Sequence, residues 1–296
     1  TTGIIFTNSD LNRKMQNSQL DNFISNALRE DIGEWDHTSL ACIPADATGK
    51  ARLLVKDKGI LAGVDVAAEV LRKIEPDIRF EKFISDGSLI SPGDIVFITE
   101  GRITTLLMAE RLVLNIMQRM SGIATTTNRY VKRLEGLKTR ILDTRKTTPG
   151  MRMLEKMAVK IGGGVNHRFG LFDMILIKDN HIDFCGGITK AIKKVHAYLQ
   201  EQQLDLRIEV ETRNLDHVKE ALECGGIHRI MLDNFTPELV REAVVLIDKR
   251  FETEASGGIT LETIRSFAET GVDFISVGAL THSVKSLDLS LKAEIG

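Results

Sequence analysis

At 296 residues, 43% hydrophobic and 27% charged, the chain is long enough for two domains and apolar enough to bury a sizeable core, which excludes a disordered chain. A formal net charge of −2 excludes a global field drawing it to nucleic acid or to a membrane surface. Cys42, Cys185 and Cys224 are too scattered for a zinc site or a disulfide framework and fit a reducing cytosol.

No apolar run approaches the roughly 20 residues of a membrane span. The polar start of the chain lacks the apolar core of a signal peptide, so a cytoplasmic protein is expected. In chain order, "GKARLLVKDKGILAG" and "IRFEKFISDG", with the "SPGD" turn before "IVFITEG", alternate as antiparallel strands do. A helix, "VDVAAEVLRKIE", interrupts them. The stretch "ITTLLMAERLVLNIMQRMSGIATTTNRYVKRLEG" then carries helical periodicity, with no Gly or Pro before Gly122. A domain boundary is expected near residue 120, giving an α+β sandwich domain over 1–120.

Residues 121–280 have a rhythm. Strand-like runs "TRILD", "MILIK", "LRIEVE", "RIMLD", "FETEAS" and "DFISVG" are separated by helical stretches such as "MRMLEKMAVKIG" and "TPELVREAVVLIDK". Thr236 reads as an N-cap with Pro237 at the first helical position, and Thr260 as the cap of "LETI". The strand-end residues Asp143, Lys178, Glu211, Asp233, Ser256 and Gly278 recur at intervals of 35, 33, 22, 23 and 22 residues. That spacing predicts repeated βαβ units and a parallel sheet, either a barrel or a doubly wound open sheet. Functional-looking residues at every strand end favour the barrel, because an open sheet gathers its ligand contacts at one switch point. Six strands are fewer than eight, so an incomplete α/β barrel is expected. The last segment, 281–296, lies beyond the final repeat and is expected to return to the first domain.

Arg145 and Lys146, in "LDTRKTTPGMR", are solvated loop cations in the plain reading. At a strand's C-terminal end they suit ligand anions: Arg offers a fork for a carboxylate, Lys a point charge for phosphate. "GGGVNHRFG" is a flexible connection, or a place where backbone N–H groups approach an anion with His167 and Arg168 beside them. Lys178 closes "MILIK", just ahead of His181; pointing into a barrel it needs an anionic partner, protein or ligand. Glu209 and Glu211 lie two apart and so share a face, with Asp233 one strand later. Inside a barrel those carboxylates need a cation, either magnesium or nearby basic side chains. Ser256, Gly257 and Gly258 in "ASGGI", and Gly278 in "SVGALTHS", fit glycine loops that hold phosphate after late barrel strands. Together these groups suit a carboxylic acid and a phosphorylated sugar meeting in one site.

The block "DTRKTTPGMRMLEKMAVKIGGGVNHRFGLFDMILIKDNHI", with "EVETRNL", "IMLDNF", "ASGGI" and "SVGALTHS", resembles the quinolinate phosphoribosyltransferase (nicotinate-nucleotide pyrophosphorylase) family over roughly residues 25 to 290. The resemblance implies an N-terminal α/β sandwich and an incomplete α/β barrel. It also implies transfer from phosphoribosyl pyrophosphate to quinolinate with magnesium, giving nicotinate mononucleotide, pyrophosphate and carbon dioxide for NAD biosynthesis. By motif position it implies that Arg145, His167, Arg168 and Lys178 line the pyridine-dicarboxylate pocket. Lys146, Glu211 and Asp233 would serve the donor and its magnesium, and Ser256, Gly257, Gly258 and Gly278 the 5′-phosphate. Arg111 matches an arginine that reaches a neighbouring subunit's pocket, which implies a homodimer. The chain departs from the family at "EWDHTS", where Trp35 and His37 replace a glycine and an apolar residue, which puts the local turn in doubt. "ECGGIHRIMLD" is one residue longer than usual, which should alter only a helix end. The nearest rival is a phosphoribosyltransferase for a monocarboxylate such as nicotinate. Another phosphate-binding barrel enzyme would not need the second acidic site. A non-catalytic binder of nucleic acid lacks the aromatic-interleaved basic stripe it would require.

Overall fold

The computed structural model describes residues 8–294. Helices α1 (Asn8–Ile32) and α2 (His37–Cys42) precede strands β1 (Thr48–Val55) and β2 (Gly59–Ile60), helix α3 (Val64–Ile74), and strands β3 (Arg79–Lys82), β4 (Leu89–Ile90) and β5 (Ile95–Arg102). The long helix α4 (Ile103–Arg133) leads to β6 (Arg140–Leu142), α5 (Arg152–Ile161), β7 (Ile175–Ile177), α6 (Asp179–Cys185) and α7 (Ile188–Glu201). Then come β8 (Ile208–Thr212), α8 (Leu215–Cys224), β9 (Arg229–Asp233), α9 (Pro237–Ile247), β10 (Glu252–Ser256), α10 (Ile264–Ala268), β11 (Phe274–Ser276), α11 (Ala279–His282) and β12 (Leu289–Glu294). Two compact units result, one of residues 8–125, Met153–Ile161 and 285–294, the other of Thr126–Arg152 and Gly162–Val284.

The first unit is built on an antiparallel sheet of order β12-β1-β5-β3, so the C-terminal strand pairs with β1. Alternation along β1 explains its place. Ala51, Leu53 and Val55 are buried, while Lys50 and Arg52 face outward towards Glu100 and Glu294 at 3.3 and 3.6 Å. Exposed pairs of that kind contribute roughly 0–1 kcal/mol, so apolar burial holds the sheet. Leu53 is 0% exposed, and Leu53→Ala is expected to cost about 2–5 kcal/mol in urea unfolding; a loss under ~1 kcal/mol would contradict that packing.

Two local features bear on the sequence reading. Asp36 caps α2, accepting the Ser39 N–H at 3.0 Å and the Ser39 hydroxyl, so the helix start survives where Trp35 and His37 depart from the family pattern. Helix α5, which the strand-helix rhythm placed among the barrel helices, lies mostly in the first unit. There the fully buried Glu155 accepts from Arg119 Nε and Nη2 at 3.1 and 2.8 Å. A buried carboxylate needs such a partner, and the helix follows it.

The second unit holds six parallel strands in the order β7-β8-β9-β10-β11-β6. Neighbours follow chain order and the first strand pairs with the last, which is the ring of a barrel broken only between β6 and β7. An open doubly wound sheet would reverse its order at a switch point. On the free edge of β6 a short segment takes the place of a strand: Val165 donates its N–H to Ile141 O at 2.8 Å, and Asp143 donates to Val165 O at 3.1 Å. Strands β8 and β9 are buried nearly throughout, as parallel strands are when both faces are covered.

The caps fit the sequence in detail. Thr236 accepts the Leu239 N–H with Pro237 at the first position of α9, and Asn214 caps α8 by accepting the His217 N–H at 2.9 Å. Near Thr260 the regular helix begins later, at Ile264, because Thr263 Oγ1 accepts the Thr260 N–H at 3.0 Å and tightens the first turn. In "ECGGIH", just past α8, Gly225 and Gly226 adopt φ of +64° and +69°, a backbone conformation that glycine takes without steric cost. Among the described residues, no helix is long and apolar enough to cross a membrane.

Candidate active site

A cavity of about 870 Å³ opens at the C-terminal ends of the parallel strands, entirely within the second unit. Arg145, Lys146, His167, Arg168, Lys178, Glu211, Asp233, Ser256, Gly257, Gly258 and Gly278 all line it. Arg111 does not; it sits exposed on α4.

The basic groups flank the break in the barrel. Arg168 has its pKa lowered by burial first and then by the charge of Arg145. Two guanidiniums that line one cavity thus repel each other, and an anion bound there relieves the repulsion. The loop that carries Arg168 is pinned by Asp143, fully buried, which accepts the His167 N–H at 2.8 Å and an Asn166 Nδ2–H at 2.6 Å. Arg168 also donates from Nη1 to Met174 O at 3.2 Å. Lys178 ends β7 with its Nζ 3.7 Å from Glu211 Oε2.

Adjacent in sequence, Arg145 and Lys146 are divided by the structure. Lys146 belongs beside β11: a Cβ added to Gly278 would meet Lys146 Cδ and His282 Cδ2, each at 3.0 Å. Gly278 thus lacks a side chain for reasons of space, its φ being an ordinary −65°. Thr144 Oγ1 accepts the Lys146 N–H at 3.0 Å, and Thr281 Oγ1 donates to Lys146 O at 2.8 Å, which fixes the backbone that carries the ammonium.

Glu211 and Asp233 project from β8 and β9. Burial raises both pKa values most; Lys178 opposes it in each case, and Asp233 raises Glu211 further by its charge. A carboxyl raised in the fold is costlier ionised there than in the unfolded chain. Its ionisation therefore subtracts stability once pH rises through the folded pKa. Glu211→Gln is accordingly expected to raise the melting temperature of the ligand-free protein at neutral pH while lowering turnover at least about tenfold. Scanning calorimetry and an initial-rate assay read the two effects; a fall in both would contradict the site's electrostatics.

Below the rim lies a buried group that the strand-end reading only partly reached. His167 Nε2 is 3.0 Å from Glu209 Oε2 and 3.4 Å from Glu254 Oε2, and Arg229 Nη1 is 3.0 Å from the same Glu254 oxygen. Burial alone would lower the His167 pKa, but hydrogen bonds with Glu209 and Glu254 outweigh it and raise it to about 9. At the same time Nδ1 accepts the Arg168 N–H at 2.7 Å, which favours the neutral ring with its proton on Nε2. In either form Nε2 keeps a proton. The trio His167, Glu209 and Glu254 has ligand-type atoms within 4.8 Å of one another, and with Arg229 it forms a buried cluster of opposite charges beneath the rim. Burial pushes Glu209 up to about 7.

Sequence reasoning missed Thr144, Asp179, Asn234, Glu254, Ser276 and His282 as lining residues. One signal was present: Glu254 stands two residues before Ser256, as Glu209 stands before Glu211, and so shares its inward face.

Fold and cavity together define an α/β-barrel protein whose rim sets cationic side chains beside an acidic, glycine-lined half. Comparison with known proteins agrees. Residues 36–121 match the family model of the quinolinate phosphoribosyl transferase N-terminal domain, and residues 123–292 that of its C-terminal domain. A Nicotiana glauca protein named quinolinate phosphoribosyltransferase [decarboxylating] 2, mitochondrial, is 46% identical over 283 residues, covering 90% of this chain and 80% of that one. A Bacillus subtilis probable nicotinate-nucleotide pyrophosphorylase [carboxylating] is 44% identical over 277 residues, covering 94% of each. The crystal structure of NadC from Streptococcus pyogenes superposes with a TM-score of 0.88 at 38% identity, covering 99% of this chain and 98% of that one. The chain belongs to the quinolinate phosphoribosyltransferase family.

Proposed function

We infer that the chain transfers the phosphoribosyl group of phosphoribosyl pyrophosphate to quinolinate and decarboxylates the product. Nicotinate mononucleotide, pyrophosphate and carbon dioxide result, in NAD biosynthesis. One observation carries the reading beyond family membership: Arg145 sits with Arg168 while Lys146 sits with Gly278, so two neighbouring cations serve two different anions.

Arg145, Arg168 and Lys178 hold the pyridine dicarboxylate, with His167 lining the same pocket and accepting the Arg168 N–H at Nδ1. Ser256, Gly257, Gly258 and Gly278 receive the 5′-phosphate, and Lys146 faces the pyrophosphate. The pyridine nitrogen attacks the anomeric carbon as pyrophosphate leaves with the bonding electron pair. Lys146 offsets the leaving charge, and Glu211 and Asp233 stabilise the oxocarbenium-like ribose or orient its hydroxyls. Once alkylated, the ring nitrogen is cationic and takes up the electron pair left when the adjacent carboxylate departs as carbon dioxide. A proton then replaces that carboxylate on carbon. Arg145 and Arg168 hold the remaining carboxylate in place throughout.

Glu211 and Asp233 fit a magnesium ion: they are oxygen donors, both held with raised pKa values in one cavity, and magnesium is commonly held by one or two carboxylates plus substrate phosphates. When bound, the ion supplies neutralisation of the pyrophosphate. Arg111 is assigned to a second copy's pocket, making a homodimer the smallest complete enzyme. A reducing compartment such as the cytoplasm suits the free thiols of Cys42, Cys185 and Cys224. Calorimetric titration tests the substrate choice. Quinolinate is expected to bind at least about tenfold tighter than nicotinate, since a charge-assisted hydrogen bond contributes roughly 1.5–3 kcal/mol; equal affinities would favour a monocarboxylate enzyme.

A further inference from the structure

Asn234 follows Asp233 at the end of β9 and lines the same cavity. Its φ is +59°, in the left-handed region where residues other than glycine sit at a cost. Such a conformation persists only where the surroundings hold it, and these do so at three points. The Asn234 N–H donates to Ser256 O at 2.8 Å across the β9–β10 register pair Asp233 and Ser256. Its side-chain Nδ2–H donates to Asp233 Oδ2 at 2.7 Å. Its side chain also occupies the space beside Gly257: a Cβ there would come within 2.7 Å of Asn234 Cγ and 2.9 Å of its backbone nitrogen. Gly257 itself has a φ of +97°.

The strained asparagine thus touches both parts of the donor half at once. By engaging Oδ2, it leaves the Asp233 carboxylate a fixed direction in which to present Oδ1. By filling the space over Gly257, it sets the height of the turn that ends β10. Building on the phosphoribosyl pyrophosphate reading above, we propose that Asn234 is a positioning residue for the donor, locking the Asp233 carboxylate and the Gly257 turn into one rigid cradle. It does not act on the quinolinate half, whose cations come from β7 and the loops flanking the break in the barrel.

Two variants separate its roles. Asn234→Gly keeps the left-handed backbone at no steric cost and removes only the amide. Asn234→Asp keeps the shape but replaces the donor by a charge that repels Asp233. Titration calorimetry with phosphoribosyl pyrophosphate and magnesium is expected to show affinity falling about tenfold or more for Asn234→Gly, the loss of one hydrogen bond to a charged group, and further for Asn234→Asp. Quinolinate affinity should stay within about twofold of wild type in both, a split that general loosening of the barrel would not give. In an Asp233→Ala background, Asn234→Gly should cost less than it does alone, because one of its two partners is already gone. Donor affinity unchanged in Asn234→Gly, or an undiminished loss in the Asp233→Ala background, would overturn the proposal. Wild-type protein that binds no phosphoribosyl pyrophosphate would instead overturn the reading on which it rests. Thermal melts accompany each titration; should Asn234→Asp fail to fold, the glycine variant alone decides.

Discussion

Replacing Arg168 with alanine is expected to lower kcat/KM for quinolinate by about two to three orders of magnitude. A guanidinium gripping a carboxylate makes two charge-assisted hydrogen bonds, together worth about 3–5 kcal/mol in a half-buried site. Arg168 is prepared for that task. Its loop is tethered through the His167 N–H to the buried Asp143, and burial and the charge of Arg145 both make its unliganded cation costlier. Lysine should restore little, since a point charge cannot reproduce the fork. Initial rates against quinolinate at saturating donor measure the effect. KM for phosphoribosyl pyrophosphate should change far less; a larger change in donor KM than in quinolinate KM would place Arg168 in the wrong half of the site.

Lys146→Ala should act on the other half and on the chemical step. Removing one preorganised charge at a developing anion typically costs about 10²–10³ in kcat, and the backbone of Lys146 is held on both sides by Thr144 and Thr281. Quinolinate binding measured without donor should be nearly unchanged. Arginine is a poor substitute here, because its delocalised planar head cannot reproduce the compact point charge of an ammonium. A Lys146→Ala enzyme with wild-type kcat but weakened quinolinate binding would show that Arg145 and Lys146 serve one anion after all.

Much of this site was legible before any coordinates. In a parallel barrel the chain order of strands is also their spatial order, so charged residues at successive strand ends must converge on one rim. That is why Lys178, Glu211, Asp233 and Ser256 could be read as neighbours from spacing alone. The division of Arg145 from Lys146 could not, since two adjacent residues leave a strand in opposite directions and only the loop's tethers decide which meets β11. Asn234 was equally hidden: a left-handed asparagine is chosen by contacts with Ser256 and Gly257, 22 and 23 residues further along the chain. The placement of α5 failed for a related reason. Its apolar face is that of any barrel helix, and the pairing of buried Glu155 with Arg119, 36 residues earlier in the chain, carries no local signal.

One rim is expected to join the pentose to the acid before the ring loses carbon dioxide. The direct measurement uses quinolinate isotopically labelled in the carboxyl group next to the ring nitrogen, incubated with the protein and magnesium. Labelled carbon dioxide should appear only when phosphoribosyl pyrophosphate is added, in one-to-one ratio with unlabelled nicotinate mononucleotide. Carbon dioxide released without the donor, or a mononucleotide that keeps its label, would contradict it.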